Sequence, residues 1–303
     1  MFEGKRARLR RMRPPKRPPK RPPKRPPKPT VKHTVSLAVG MSVAVVVLAC
    51  ALFAPWLAPH SATEGSLQVR LLAPGRELRY PLGTDLLGRD MVSRLIYGAR
   101  VSLGVSAASL LLAASIGVSL GLLAGTYVRV RYLLDKLVDI WQAIPYLIVA
   151  LAAAATLGAS FGNVVIVLGV TTWVLFYRVV RIEVTRMQQL EFVLAATALG
   201  ASTWRIIWRY LLPNVMPVIM PVATLLLANL IIFEASLSFL GLGVPPPAVS
   251  WGAMAASGRG YEVIAWWVPL FPGLAIFITV LGFNLLGDSL RDYLDPRQRY
   301  GER

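Results

Sequence analysis

The chain has 303 residues, of which 55% are hydrophobic and 16% are charged, and its mean hydropathy is +0.56. A soluble domain of this length would expose too much apolar surface to stay dispersed, so the composition excludes an ordinary soluble protein and favours a membrane protein. The formal net charge of +18 does not indicate a nucleic-acid partner, because fourteen of the 33 basic residues lie in segment 1–33, beside one acid, Glu3.

Segment 1–33 is a basic arm in which Arg-Pro-Pro-Lys recurs every four residues from Arg13 to Lys28. Proline removes a backbone donor and fixes φ, so the pattern predicts a disordered, polyproline-like segment. We interpret the arm as a solvated cytoplasmic tail that helps to set membrane orientation. Attraction to anionic lipid headgroups is an additional possibility, at about 1 kcal/mol per basic residue near the surface.

Six apolar stretches follow the arm, and each approaches the 20 or so residues that a hydrocarbon core about 30 Å thick requires. The third is the least regular, because Asp139 and Pro145 lie near its start. The sequence therefore predicts an all-α membrane protein with six transmembrane helices. Their expected bounds are 35–57, 101–125, 138–157, 163–181, 214–240 and 267–288.

Basic residues in the connecting segments predict the orientation. Segments 126–137, 182–213 and 289–303 carry most of the basic residues outside the arm, whereas 158–162 carries none and 241–266 only Arg259. Segment 58–100 is an exception with six arginines, offset in part by four acids. We predict that it is external and that both termini are cytoplasmic.

The sequence lacks the residues needed for ATP binding, for metal binding and for nucleophilic catalysis. The sequence has no Gly-Lys-Ser or Gly-Lys-Thr, so no P-loop is expected. Cys50 is the only cysteine, His33 lies in the arm and His60 stands alone at the edge of a predicted span, so neither a metal site nor a Ser-His-Asp arrangement is expected. The sequence predicts no catalytic residue and no cofactor in this chain.

The connection 182–213 contains a distinctive helical pattern. A stretch rich in alanine and leucine follows Glu191, and both residue types favour a helix. Glu191 is an acid suited to the helix N-terminus, and Gly200 is a natural helix stop. A second short helix is expected from Thr203 to about Tyr210, ending before Pro213. The small residues suit close insertion into a partner better than they suit an amphipathic helix lying on the membrane surface.

Glu234 is the one acid deep in a predicted span. An ionisable group there normally faces a bundle interior or water. One interpretation is a pathway-lining carboxylate that meets a peptide amine or a cation. The other, which we favour, is a carboxylate near the outer helix end that pairs with an arginine or polar group of a partner subunit. Asn229 and Asn284 could share the same face.

The residues Ala195-Ala196-x-x-x-Gly200 followed by Leu212-Pro213-Asn214 resemble the EAA loop of bacterial ABC importer permeases. The chain departs from that pattern at Leu194, where the family has glutamate. The resemblance implies that this segment is the coupling helix that docks on a cytoplasmic ATPase. The implied coupling residues are Glu191, Leu194, Ala195, Ala196, Leu199, Gly200, Ala201, Ser202 and Arg205.

Three further blocks are similar to the C-subunit type of dipeptide/oligopeptide ABC transporter permeases. They begin at Pro81, at Ser238 and at Phe283, and the last ends at Pro296; the resemblance covers about 35–299. Gly83, Gly88, Gly241 and Gly243 in the first two permit tight turns. Asp85, Arg89 and Asp90 are expected to cap and cross-link an external helix.

The resemblance implies a type I importer permease in the bacterial inner membrane. Its partners would be a homologous permease, one or two ATPase subunits that bind ATP and magnesium, and an extracytoplasmic substrate-binding protein. The implied organisation is an arm (1–33), a first helix with an external segment (34–100), a permease core (101–290) and a tail (291–303).

Peptide is the first cargo that the resemblance implies, and nickel, glutathione and other small solutes remain open. An ion-gradient-driven transporter would need inverted repeats and several intramembrane charges, and an intramembrane enzyme would need a buried catalytic pair. The sequence offers neither.

Overall fold

The computed structural model describes residues 31–294. The predictions for the Pro-rich arm and for the end of the C-terminal tail lie outside these residues. Within them the secondary structure is helical apart from turns and one isolated bridge between Thr84 and Asp90, so the all-α prediction is confirmed. The helices are α1 (Val31–Leu52), α2 (Ala54–Leu57), α3 (Met91–Thr126), α4 (Val128–Gln142), α5 (Tyr146–Leu157), α6 (Phe161–Thr172), α7 (Val174–Met187), α8 (Glu191–Ala198), α9 (Thr203–Ile206), α10 (Leu212–Phe239), α11 (Trp251–Ser257) and α12 (Trp267–Leu294).

Five helices of the described chain are long and apolar enough to cross a membrane, and a bent pair could form a sixth crossing. They correspond to five of the six predicted spans, with shifted ends. Their bounds are Val35–Leu52, Met91–Thr126, Phe161–Met187, Thr203–Phe239 and Trp267–Tyr293. The first predicted span ends five residues early, because Pro55 lacks an N–H donor and starts the separate short helix α2.

The third predicted span, 138–157, is not one straight helix. Helices α4 and α5 are bent by 82° about the break at 143–145. Pro145 supplies no backbone donor and disfavours helical backbone at Ile144, which accounts for the break. Helix α5 has 12 residues, so it spans only about 18 Å of a core about 30 Å thick.

The expected short helix from Thr203 to Tyr210 is also corrected. The chain does not stop before Pro213 but runs as one 37-residue helix from Thr203 to Phe239. A π-helical turn, Ile207–Leu211, joins α9 to α10, and Pro213 lies in the first turn of α10. The Leu212 N–H donates to the Ile207 carbonyl in this π-helical turn, so the regular α-helical ladder is already interrupted just before Pro213, and the missing proline N–H does not end the helix.

Helix α3 lies at the centre of the bundle and packs on α1, α6, α7 and α10. Its contact with α7 uses three glycines four residues apart, Gly117, Gly121 and Gly125. A Cβ atom at Gly117 would lie 2.4 Å from the Trp173 carbonyl oxygen, and one at Gly121 would lie 2.8 Å from the Val180 Cβ. Glycine is therefore required here because the two backbones approach closely.

Helix α12 packs on α10, α1 and α11. Helix α11 is tied to α3 through Trp251, whose Nε1 donates to the Leu95 carbonyl at 2.9 Å and whose backbone N–H donates to the Ser102 hydroxyl at 3.2 Å. Because α11 also packs on α10 and α12, it connects these two helices to α3.

Candidate functional site

Helix α8 ends in a Schellman motif, and the predicted stop at Gly200 is confirmed. The Gly200 N–H donates to the Thr197 carbonyl and the Ala201 N–H donates to the Ala196 carbonyl, each at 3.0 Å. Gly200 has a φ of +79°, which residues with a side chain rarely adopt. Glu191 lies in the first turn of α8, where the helix dipole favours an acid.

Most of the residues implied for coupling lie on the outer surface of this segment. Leu199 is 89% exposed and Leu194 is 55% exposed. Ala196 is instead buried, as is Val193 in the turn before it, and Ala201 is half-buried. The small residues therefore do not form one face. The exposed members are Glu191, Leu194, Ala195, Leu199, Gly200, Ser202 and Arg205.

The start of the long helix Thr203–Phe239 adds two aromatic residues to the same segment. Trp204 and Trp208 are exposed and form an edge-to-face pair with ring centroids 5.3 Å apart. Ser202 caps this helix, since its hydroxyl accepts from the Arg205 N–H at 3.4 Å. The spacing of four between the tryptophans, beside Arg205 and Arg209, is visible in the sequence, but a pair of aromatic residues at this spacing does not by itself predict a surface for a partner.

The two asparagines proposed for the pathway are accessible. Asn229 is exposed on α10, where its Nδ2 donates to the Leu225 carbonyl at 3.1 Å, and Asn284 is half-buried on α12. An exposed amide within a span is unfavourable against lipid, so a partner subunit or water is the better neighbour.

Glu234 occupies a closed pocket within the chain and has no exposed surface. Its Oε1 accepts from the Ser238 hydroxyl at 2.7 Å. The hydroxyl groups of Ser102 and Ser250 lie beside the carboxyl group, and both residues are buried. Oε2 has no protein hydrogen-bond partner within the described residues. The site thus gathers polar groups from α3, α10 and the start of α11.

The external segment is held by two aspartates. Asp85 Oδ1 accepts from the backbone N–H groups of Leu87 and Arg89, each at 2.9 Å, and Asp85 Oδ2 accepts from Arg89 Nε at 2.7 Å. Asp90 caps α3, and its Oδ2 accepts from the Ser93 N–H at 2.9 Å. The expected cap and cross-link are found, but Asp90 caps the long helix α3 itself rather than a separate external helix. No group of three potential ligands among His, Cys, Asp and Glu could hold a metal within the described chain.

Comparison with known proteins agrees with this arrangement of helices. The structure resembles the inward-facing MetNI methionine ABC transporter, with a TM-score of 0.55, 20% sequence identity and coverage of 68% of this chain and 98% of that chain. This likeness shows the fold, which is that of the membrane subunit of a type I ABC importer.

Sequence matches define the family. Residues 117–300 match the family described as binding-protein-dependent transport system inner membrane component, and the chain belongs to it. It is 42% identical over 249 residues to the di/tripeptide transport system permease protein DppC of Pseudomonas aeruginosa strain UCBPP-PA14, covering 80% of this chain and 82% of the relative. It is also 40% identical over 245 residues to the glutathione transport system permease protein GsiD of Pectobacterium atrosepticum, covering 80% of this chain and 81% of the relative.

The chain is thus a multi-pass membrane component of an ABC importer, a class that works with a second permease, an ATPase and a binding protein.

Proposed function

We propose that this chain forms half of a pathway for di- or oligopeptides and couples it to ATP hydrolysis on partner subunits through residues 191–205. The observation that carries the coupling proposal is the exposure of Leu199 and Leu194 around a glycine-capped helix. The peptide cargo is supported by the 42% identity to a di/tripeptide permease.

The coupling surface comprises the exposed residues of 191–205, and Trp204 is one of them. Burying an exposed leucine stabilises an interface by about 1.5–3 kcal/mol, so Leu194 and Leu199 are suitable anchors for an ATPase groove. Ala195 and Gly200 add no bulk beside them and permit close approach. Leu194, which replaces the family glutamate, supplies an apolar contact where a polar one is usual. Ala196 supports this surface from the buried side.

The pathway itself is proposed to pass along Asn229 and Asn284. Their amides could bind the backbone of a passing peptide by accepting and donating hydrogen bonds. Glu234 is buried among serines of its own chain, so we assign it to holding α3, α10 and α11 together rather than to direct substrate contact or to pairing with a partner subunit.

The remaining assignments concern position and partners. Both termini and residues 191–205 are proposed to be cytoplasmic, and segment 58–90 external, as the distribution of basic residues suggests. ATP and magnesium would bind the ATPase subunits, since this chain has no P-loop sequence. The basic arm would associate with anionic headgroups, and a substrate-binding protein would dock on the external side.

Glutathione is a second candidate cargo, because a glutathione permease is 40% identical to this chain. The two cargoes can be separated by uptake. A strain lacking this gene and complemented with it should take up labelled dialanine. Restoration of labelled glutathione uptake, without restoration of labelled dialanine uptake, would establish the second candidate instead.

The coupling proposal is tested by purifying the tagged chain with its partners in mild detergent. Leu199→Glu changes an exposed side chain, so it should leave folding intact yet reduce the recovered ATPase by roughly ten-fold or more, since an unpaired buried carboxylate costs several kcal/mol. Leu78→Glu is the matched control, because Leu78 is fully exposed on segment 58–90. Equal ATPase recovery with both variants would refute the coupling surface. A wild-type chain that purifies alone would favour a gradient-driven transporter.

A further inference from the structure

A cavity of about 390 Å³ lies between segment 58–90 and the chain that follows α10. Arg89 and Arg94 line one side of it, and Val244, Pro246 and Pro247 line another. Thr63 and Ser257 add hydroxyl groups. The cavity is therefore basic at one end and apolar along its wall, and it is separate from both the coupling surface and the asparagines on α10 and α12.

Arg94 is the unusual member of this lining, since it is only 5% exposed. Its Nη1 lies 3.4 Å from Asp85 Oδ2 and donates to the Ala62 carbonyl at 3.3 Å, whereas its Nε has no hydrogen-bond partner in the described chain. A buried guanidinium with an unsatisfied N–H is costly, and arginine offers a fork that binds a carboxylate through two parallel hydrogen bonds.

Asp85 does not neutralise the site. Its Oδ1 is occupied by two backbone N–H groups and its Oδ2 is shared between Arg89 and Arg94. Two arginines thus face one carboxylate, and one positive charge remains without an acidic partner at the cavity. A second anionic group would complete the ion pairing.

We propose that this cavity binds a small carboxylate-bearing solute, with the carboxylate on Arg94 and Arg89 and an apolar body against Val244, Pro246 and Pro247. The aliphatic wall favours an organic acid or the C-terminus of a short peptide over an inorganic anion, which would leave that wall unused. The inference goes beyond the proposed function, because it assigns a ligand site on the external side whether or not the ligand is transported.

The test measures binding of labelled dialanine to the purified complex in the absence of binding protein, by equilibrium dialysis. Dialanine amide, which lacks the carboxylate, is the probe control. Arg94→Gln removes the charge, and Ala253→Leu fills the cavity while leaving Arg94 and Asp85 in place. Arg259→Gln, a substitution on the same side of the membrane outside the cavity lining, is the matched control.

The proposal predicts saturable binding of dialanine that weakens by about ten- to a hundred-fold with the amide, with Arg94→Gln and with Ala253→Leu, because each change removes a charge-assisted contact or the space for it. Arg259→Gln should bind like the wild type. Equal binding of acid and amide, wild-type binding by Ala253→Leu, or binding only when binding protein is added would each overturn it. Loss of ATPase recovery with Leu199→Glu bears on the coupling surface alone, so the two proposals fail separately.

Discussion

The pocket around Glu234 shows how one side chain can join three helices. Ser238 lies one turn after Glu234 on α10, Ser102 comes from α3, and Ser250 caps α11 by accepting from the Ala253 N–H at 3.3 Å. The Glu234 carboxyl group accepts from the Ser238 hydroxyl and lies beside the Ser102 and Ser250 hydroxyls, so polar groups of three elements meet at one buried point. The sequence identified Glu234 as unusual, but its serine partners could not be assigned without knowing which helices meet.

Substitutions at Glu234 should separate hydrogen bonding from charge. Glu234→Gln keeps an acceptor for the Ser238 hydroxyl and should change the free energy of unfolding little. Glu234→Ala should destabilise the protein by about 1–3 kcal/mol, because it leaves that hydroxyl unsatisfied and opens a cavity. Thermal unfolding in detergent, followed by tryptophan fluorescence, measures both. Equal destabilisation by the two variants would show that the charge, rather than the hydrogen bond, matters.

At the scale of helices, the contact between α3 and α7 depends on glycines whose spacing the sequence displays. Gly117→Ala should destabilise the protein by about 1–3 kcal/mol, since the new methyl group would meet the Trp173 backbone carbonyl, which cannot move independently of α7.

Gly104→Ala on the same helix is the control for that substitution. A Cβ atom there would have its nearest neighbour, Phe161, at 3.7 Å, which is an ordinary contact. The variant should be neutral or should gain roughly 0.5–1 kcal/mol from better helix propensity. Unfolding midpoints that fall equally for both variants would contradict the close approach of α3 and α7.

The sequence predicted helix type and approximate position well, but predicted helix ends poorly at proline. Pro145 breaks the third predicted span, whereas Pro213 does not end a helix, because the π-helical turn before it has already interrupted the regular hydrogen-bond ladder and accommodates the missing N–H. Whether a proline breaks or starts a helix depends on the backbone that precedes it, which hydropathy does not report. The inward direction of Ala196 was similarly undetermined until the packing of α8 was known.

At the scale of the whole molecule, the orientation rests on the distribution of basic residues. It can be checked in a Cys50→Ser background, where no other cysteine remains. A membrane-impermeant maleimide should label Leu78→Cys in spheroplasts and should label Val128→Cys, on segment 126–137 outside the coupling surface, only after the membrane is permeabilised. The opposite pattern would invert the topology and would place residues 191–205 outside.

The importer account depends most on direct contact between residues 191–205 and an ATPase. Site-specific cross-linking in native membranes tests that contact, using Leu199→Cys or Leu194→Cys in the Cys50→Ser background, with Leu78→Cys as the control. The account predicts that a short cysteine-reactive cross-linker joins Leu199→Cys and Leu194→Cys to an ATPase subunit and leaves Leu78→Cys unlinked to it. Absence of an ATPase adduct at both leucines, in membranes whose complex is active, would contradict the account.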